Sequence, residues 1–124
     1  MARALYRPFE DADFGAIAKI LQRAWHSDSD IPNDAYGYLE ASMDLAHCLS
    51  VSTFSQVAVN DDRILGIVLA RAANDRNPRL ARWGEAAKTY EQRMEQSEPR
   101  AAQAYRDSVA RTQAINAMML EQSG

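Results

Sequence analysis

The 124-residue chain has one cysteine, Cys48. No internal disulfide can form, and nothing in the sequence calls for an oxidising compartment. A cytoplasmic location is the expectation. The N-terminus, Met-Ala-Arg-Ala-Leu-Tyr-Arg-Pro, lacks the continuous apolar segment of a signal peptide. No later stretch approaches the roughly 18 apolar residues of a membrane span, so no membrane partner is expected. Clustered positive charge is also missing. Residues 1–75 hold six Lys/Arg against eleven Asp/Glu, residues 76–124 hold eight against six, and the formal charge is -3. Neither half offers the basic face that neutralising many phosphates requires, which excludes nucleic acid from the expected partners. There is no internal repeat and no low-complexity tract.

What is present suits one folded domain. Hydrophobic residues make up 47% of the chain and charged residues 25%, an ordinary globular balance. Leu5-Tyr6-Arg7-Pro8-Phe9 alternates apolar and polar residues as a half-buried strand does, and Pro8 confines it to an edge or a strand end. Asp11 or Asp13 can cap a helix running to His26, with Phe14, Ile17, Ala18, Leu21 and Trp25 on its buried face. After the polar break at residues 27–34, a second helix from Asp34 places Leu39, Met43, Ala46 and Leu49 on one stripe. Gly37 weakens its start.

Gln56–Asn60 and Ile64–Ala70 read as two strands joined through Asp61-Asp62-Arg63, a link so short that the strands must be antiparallel. The second strand is apolar on both faces. It therefore predicts cover on both faces and neighbours on both edges. A helix follows from Asn77-Pro78, with Leu80, Trp83, Ala87, Tyr90 and Met94 on one face. Ser97-Glu98-Pro99 restarts a helix reaching Leu120, carrying Ala101, Tyr105, Val109, Ile115 and Met119. Trp83, Tyr90, Met94 and Tyr105 are expected to join these two helices. The predicted fold is α+β: a short, mainly antiparallel sheet of about three strands in a β-α-α-β-β unit (residues 1–75), followed by an antiparallel two-helix hairpin (residues 76–124). The hairpin belongs to the same domain or is an insertion.

Element order over residues 4–72 resembles the N-terminal half of the GNAT superfamily of acetyl-CoA-dependent N-acetyltransferases. The phrases that carry the resemblance are Tyr6-Arg7-Pro8-Phe9-Glu10-Asp11-Ala12-Asp13 and Val57-Ala58-Val59-Asn60-Asp61-Asp62-Arg63-Ile64-Leu65-Gly66-Ile67-Val68. The resemblance implies transfer of acetyl from acetyl-CoA to an amine. It also implies that the loop after the first helix borders the acceptor cleft, where Trp25, His26, Asp28, Asp30, Tyr36 and Tyr38 are the candidate substrate-binding residues. The same resemblance implies a later strand, then a Gly-rich Arg/Gln-x-x-Gly-x-Gly/Ala loop opening a helix that holds the pyrophosphate. The nearest string is Ala81-Arg82-Trp83-Gly84-Glu85-Ala86, with alanine where Arg or Gln is wanted. Acetyl-CoA is thus expected for the complete family fold and not for this chain alone, which is expected to be inactive in isolation; no catalytic residue is assigned. Residues 78–121 are similar to a helical-hairpin insertion ahead of the cofactor strand. The expectation is a truncated, split or cleaved acetyltransferase whose strand 64–70 self-associates or receives a complementary C-terminal segment. The alternative is a non-catalytic interaction module presenting the hairpin or that strand edge.

Other chemistries fit less well. Asp28, Asp30 and Asp34 are what a polar turn with helix caps requires without any ligand. Asp28-Ser29-Asp30 begins like a calcium loop, but Asn33 stands where glycine is needed and Leu39 where the bidentate glutamate belongs. His47 and Cys48 lack partners for a zinc set with His26, so no metal is expected. Cys48 has no base or orienting group in its neighbourhood and reads as a small buried hydrophobe.

Overall fold

The computed structural model describes residues 4–25 and 34–122. Strands β1 (Leu5–Arg7), β2 (Phe54–Asn60) and β3 (Arg63–Ala70) form one antiparallel sheet in that spatial order. Helices α1 (Phe14–Trp25) and α2 (Asp34–Val51) lie between β1 and β2, and α3 (Trp83–Ser97) and α4 (Pro99–Gln122) follow β3. The fold is α+β with the expected order of elements.

β1 stops at Arg7 rather than Phe9 because Pro8 has no N–H for a ladder. The Phe9 N–H instead donates to Ser55 Oγ at 3.1 Å. Arg7 donates two hydrogen bonds of 2.7 Å to the Asp13 carboxylate, one to each oxygen. Asp13 also accepts the Glu10 N–H at 2.9 Å, so it reaches back across a single 3-10 turn, Asp11–Asp13, to close the entrance of α1. Asp11 serves a different end, meeting Arg82 at 2.6 Å just ahead of α3.

One face of the sheet carries the core. Val57 packs with Phe14, Ile17 and Ala18 of α1, with Leu45, Ala46 and Leu49 of α2, and with Ala87 of α3. Trp25 departs from its expected place: it is 74% exposed at the last position of α1, one turn beyond Leu21, where none of the described elements covers it. α2 lies between α1 and α3, so its buried residues spread around the helix from Tyr36 and Ala41 to Leu49 rather than along one stripe. Leu39 and Met43, expected on that stripe, are half-buried against a second, smaller core of Tyr36, Met94 and Ala102.

α3 begins at Trp83, later than the expected Pro78. The Arg79 N–H is held by Ser52 O at 3.3 Å, and the Trp83 and Gly84 amides bond three residues back, to Leu80 O and Ala81 O, at 3.0 Å each. The chain is therefore fixed to the α2–β2 junction in tight turns before it can become α-helical. Trp83 and Tyr90 do not join α3 to α4. Trp83 stacks on Phe14 with ring centroids 4.5 Å apart, Tyr90 stacks on Phe14 at 5.7 Å, and Phe9 meets Trp83 edge-on at 5.9 Å. Met94 and Tyr105 do meet the second core, and the Tyr105 hydroxyl donates to Asp44 on α2. Only Glu98 links α3 to α4. Arg106 of α4 lies 3.8 Å from Glu91 and 3.7 Å from Glu95, which returns α4 along α3.

The β2–β3 link is shorter than the three-residue expectation. Arg63 pairs with Asn60, leaving Asp61 and Asp62 as a two-residue turn with φ of 48° and 64°. This is the primed-turn geometry whose twist suits a hairpin, for which Asn-Gly is better adapted than Asp-Asp. The double substitution Asp61→Asn/Asp62→Gly is expected to raise stability by about 1 kcal/mol, read by urea denaturation. Asp13→Ala, which removes the acceptor of three hydrogen bonds, is expected to lower it by about 2 kcal/mol. The salt link holds Asp13 below the usual carboxylate range, first through its hydrogen bonds from Arg7. Its contribution is therefore present above the unfolded carboxylate value and is lost as pH falls through the lower folded value.

Candidate functional site

β3 is the feature that packing leaves unfinished. Its inward residues Ile64, Ile67 and Leu69 pack on the core. Its other side chains are left exposed: Val68 is 59% exposed, and Leu65, 49% exposed, also borders a hollow against Ile20 and Ala24 of α1. With Tyr6, Gln56, Ala58 and Gly66, Leu65 and Val68 line a shallow depression of ≈ 290 Å³ on the outer face of the sheet. A side chain placed at Gly66 would meet nothing within 4 Å. The cover predicted for the second face of this strand is not supplied by the described residues.

The free edge of β3 is as unusual as its face. Among the described residues no strand pairs with it on the side away from β2, and no backbone hydrogen bond outside the ladder reaches residues 63–69. β1, at the other side of the sheet, has only three residues and is closed off by Pro8, a common way of blunting an edge. β3 has eight residues and no proline or lysine. A bulge at Leu65, the extra residue between the Ala58–Gly66 and Val59–Ile64 pairs, is its one irregularity. Charge lies only at its ends, in Asp61, Asp62 and Arg63 at the turn and in Arg71 and Arg76 beyond Ala70.

Of the residues proposed around the acceptor loop, the three that are described, Trp25, Tyr36 and Tyr38, do not converge. His26, Asp28 and Asp30 lie outside the described residues. Trp25 projects from the end of α1. Tyr36 is 1% exposed in the small core under α4, whereas Tyr38, two residues on, faces α1, its hydroxyl 3.8 Å from the Cβ position of Gly15. Two residues of helix separate their directions by roughly 200°. Burial accounts for Tyr36, and packing on the main core accounts for Tyr38.

The structure also tests the Ala81–Ala86 string as a pyrophosphate cradle. The Trp83 and Gly84 amides are already bonded to Leu80 O and Ala81 O, and the missing side chain of Gly84 faces Ser50 Cβ at 3.7 Å. That glycine lies against α2 and its amide is already bonded, so the string does not present the free amides that a pyrophosphate requires. A hollow of ≈ 230 Å³ between α2 and α4 contains Asp44, His47, Glu91 and Arg106, but Tyr105 and Arg106 already engage its carboxylates. Cys48 is exposed rather than buried. Its thiol is nevertheless raised above the ordinary thiol range, first by desolvation and then by Asp44, which is the wrong direction for a nucleophile. Among the described residues no group of three or more His, Cys, Asp or Glu is placed to hold a metal, and no helix is long and apolar enough to cross a membrane.

The sequence pattern pointed to the edge and to a second apolar face of β3, but not to Tyr6 as part of that face. The signal for the face was the apolar residues on both sides of the strand. Tyr36 supplies a measurable consequence of the packing beneath α4. Burial, followed by the negative Glu40 and Glu98, pushes its phenol up to about 12. Since the unfolded phenol titrates near 10, the folded state holds the proton more tightly. Its stability advantage is complete below pH 10 and is lost as pH rises toward 12. Urea denaturation at pH 8 and pH 11 is expected to show wild type losing about 1 kcal/mol relative to Tyr36→Phe, half of the full effect, because pH 11 lies midway through that window.

The chain matches no family model, no curated protein and no solved structure.

Proposed function

We propose that this chain is a non-catalytic protein-interaction module that accepts an extended polypeptide segment along β3. The observation that carries this reading is the free, eight-residue edge of β3, apolar on its outward side and without the devices that blunt β1. Strand addition uses main-chain hydrogen bonds for affinity and alternate side chains for selectivity. The α1–α2–α3 layer holds the sheet from one side only, so a docked segment extends the ladder without displacing a helix.

A second reading is the acceptor-side half of a GNAT-type N-acetyltransferase. The β-α-α-β-β order and the placement of α1 and α2 on one face of an antiparallel sheet support it. On that reading the β3 edge receives the family's next strand, and acetyl-CoA is held by the complement rather than by this chain.

Two measurements separate these readings. Titrating a soluble extended peptide of alternating valine and threonine is expected to slow amide exchange across residues 63–70 and leave α2 unchanged; unaltered β3 exchange at millimolar peptide overturns strand acceptance. Acetyl-CoA at millimolar concentration is expected to leave the thermal midpoint of this chain unchanged. A rise that grows with ligand concentration shows binding to the folded state by mass action and sinks the non-catalytic reading.

A further inference from the structure

We infer, building on the strand-accepting reading, that the segment covering β3 is the β3 of a second copy of this chain, paired antiparallel about a two-fold axis at Ile67.

Charge pattern is the first reason. The apolar run Ile64–Ala70 is preceded by Asp61 and Asp62 and followed by Arg71 and Arg76. All four are exposed and none has an ion pair among the described residues. Asp75, between the two arginines, is already held by Arg79 at 3.1 Å. In an antiparallel pair each strand's beginning lies beside the other's end, so the acidic turn of one copy approaches the basic end of its neighbour. A parallel pair would set like charge against like. Past the Leu65 bulge the alternation shifts by one residue, so Arg63 stands opposite Ala70 of the second copy and Asp62 opposite its Arg71.

Shape gives an independent reason for the register. With the axis at Ile67, Gly66 of one copy stands opposite Val68 of the other, on the outer face of both sheets. The space over Gly66 is open, and Val68 is a projecting, exposed side chain. Each copy therefore sets one small and one projecting residue, two apart, beside their counterparts on the same face, a contact an isologous pairing makes twice. The two three-stranded sheets become one of six strands. Its new edges are the two copies of β1, short and closed by Pro8, so association ends at a dimer and does not propagate.

Sedimentation equilibrium on the full chain, from micromolar to about 0.5 mM, is the test, with the dissociation constant expected in the micromolar range of a modest interface. The dimer is expected to weaken as salt rises, because the end charges are exposed. Val68→Lys puts a charge on an exposed position of the edge that packs against no helix, so its thermal midpoint is expected to be unchanged while the dimer is lost. Asp61→Asn/Asp62→Gly keeps the hairpin turn and removes the acidic end, and is expected to weaken dimerisation about tenfold at low salt. A wild type that stays monomeric at the highest concentration overturns the proposal, as does a dimer that survives both variants. If the wild type is monomeric while the valine-threonine peptide still protects residues 63–70, the second copy is excluded and strand acceptance stands. If neither binds, both fail.

Discussion

Phe14 is the ring on which the rest of the molecule is assembled. Trp83 and Tyr90, one helix and many residues away in sequence, lie almost parallel to it at interplanar angles of 3° and 5°. Such contacts contribute roughly 0.5–1.5 kcal/mol each beyond the area they bury. More important here is what they orient. Trp83 sets the first turn of α3 against α1, and α3 then closes the far side of α2. Phe14 itself is positioned by the turn before α1, where Asp13 binds Arg7 and the Glu10 amide together. A charge pair beside β1 thus fixes the helix entrance, the entrance fixes the ring, and the ring fixes α3.

This arrangement puts three helices on one side of a three-stranded sheet. The two ends of the sheet are treated differently. At β1 the backbone turns away at Pro8 and its next amide is satisfied by Ser55. At β3 the ladder continues to Ala70 with regular geometry apart from Leu65, and Thr53 fastens that end by donating its N–H to Ala70 O and accepting the Ala72 N–H at 2.9 Å each. The strand is packed on the core from its inner side and exposed on its outer one.

Most of the fold was legible in local pattern. The hairpin followed from a short polar link between two β-rich runs, and α1 from its apolar spacing up to Leu21. The failures share a cause, which is that tertiary contacts choose among locally acceptable alternatives. Pro78 is a sound helix opener, yet the hydrogen bond from Arg79 to Ser52 delays the helix to Trp83. Trp83 and Tyr90 have helical spacing, but spacing cannot say which neighbour they face. Cys48 sits on a helix that is buried from two sides and happens to occupy a remaining exposed strip. For the candidate site, the pattern of β3 called for more cover than the described residues supply. It could not show that Tyr6 and Val68 would share one uncovered face, because that depends on the pairing of strands far apart in sequence.

α4 brings a different property. Ala102 is its one buried residue, and its other anchors, Tyr105 and Arg106, fall within one further turn. A helix of 24 residues is about 36 Å long, so most of it rests on its own backbone hydrogen bonds. The chain accordingly has two tiers of cooperativity. α4 can detach as a unit of low local stability, uncovering Met94 and Tyr36 while every hydrogen bond of the sheet stays intact. The ring stack and the sheet share one core and belong to the tier that opens with the whole domain, whereas α4, about a fifth of the chain, is held by few contacts outside itself.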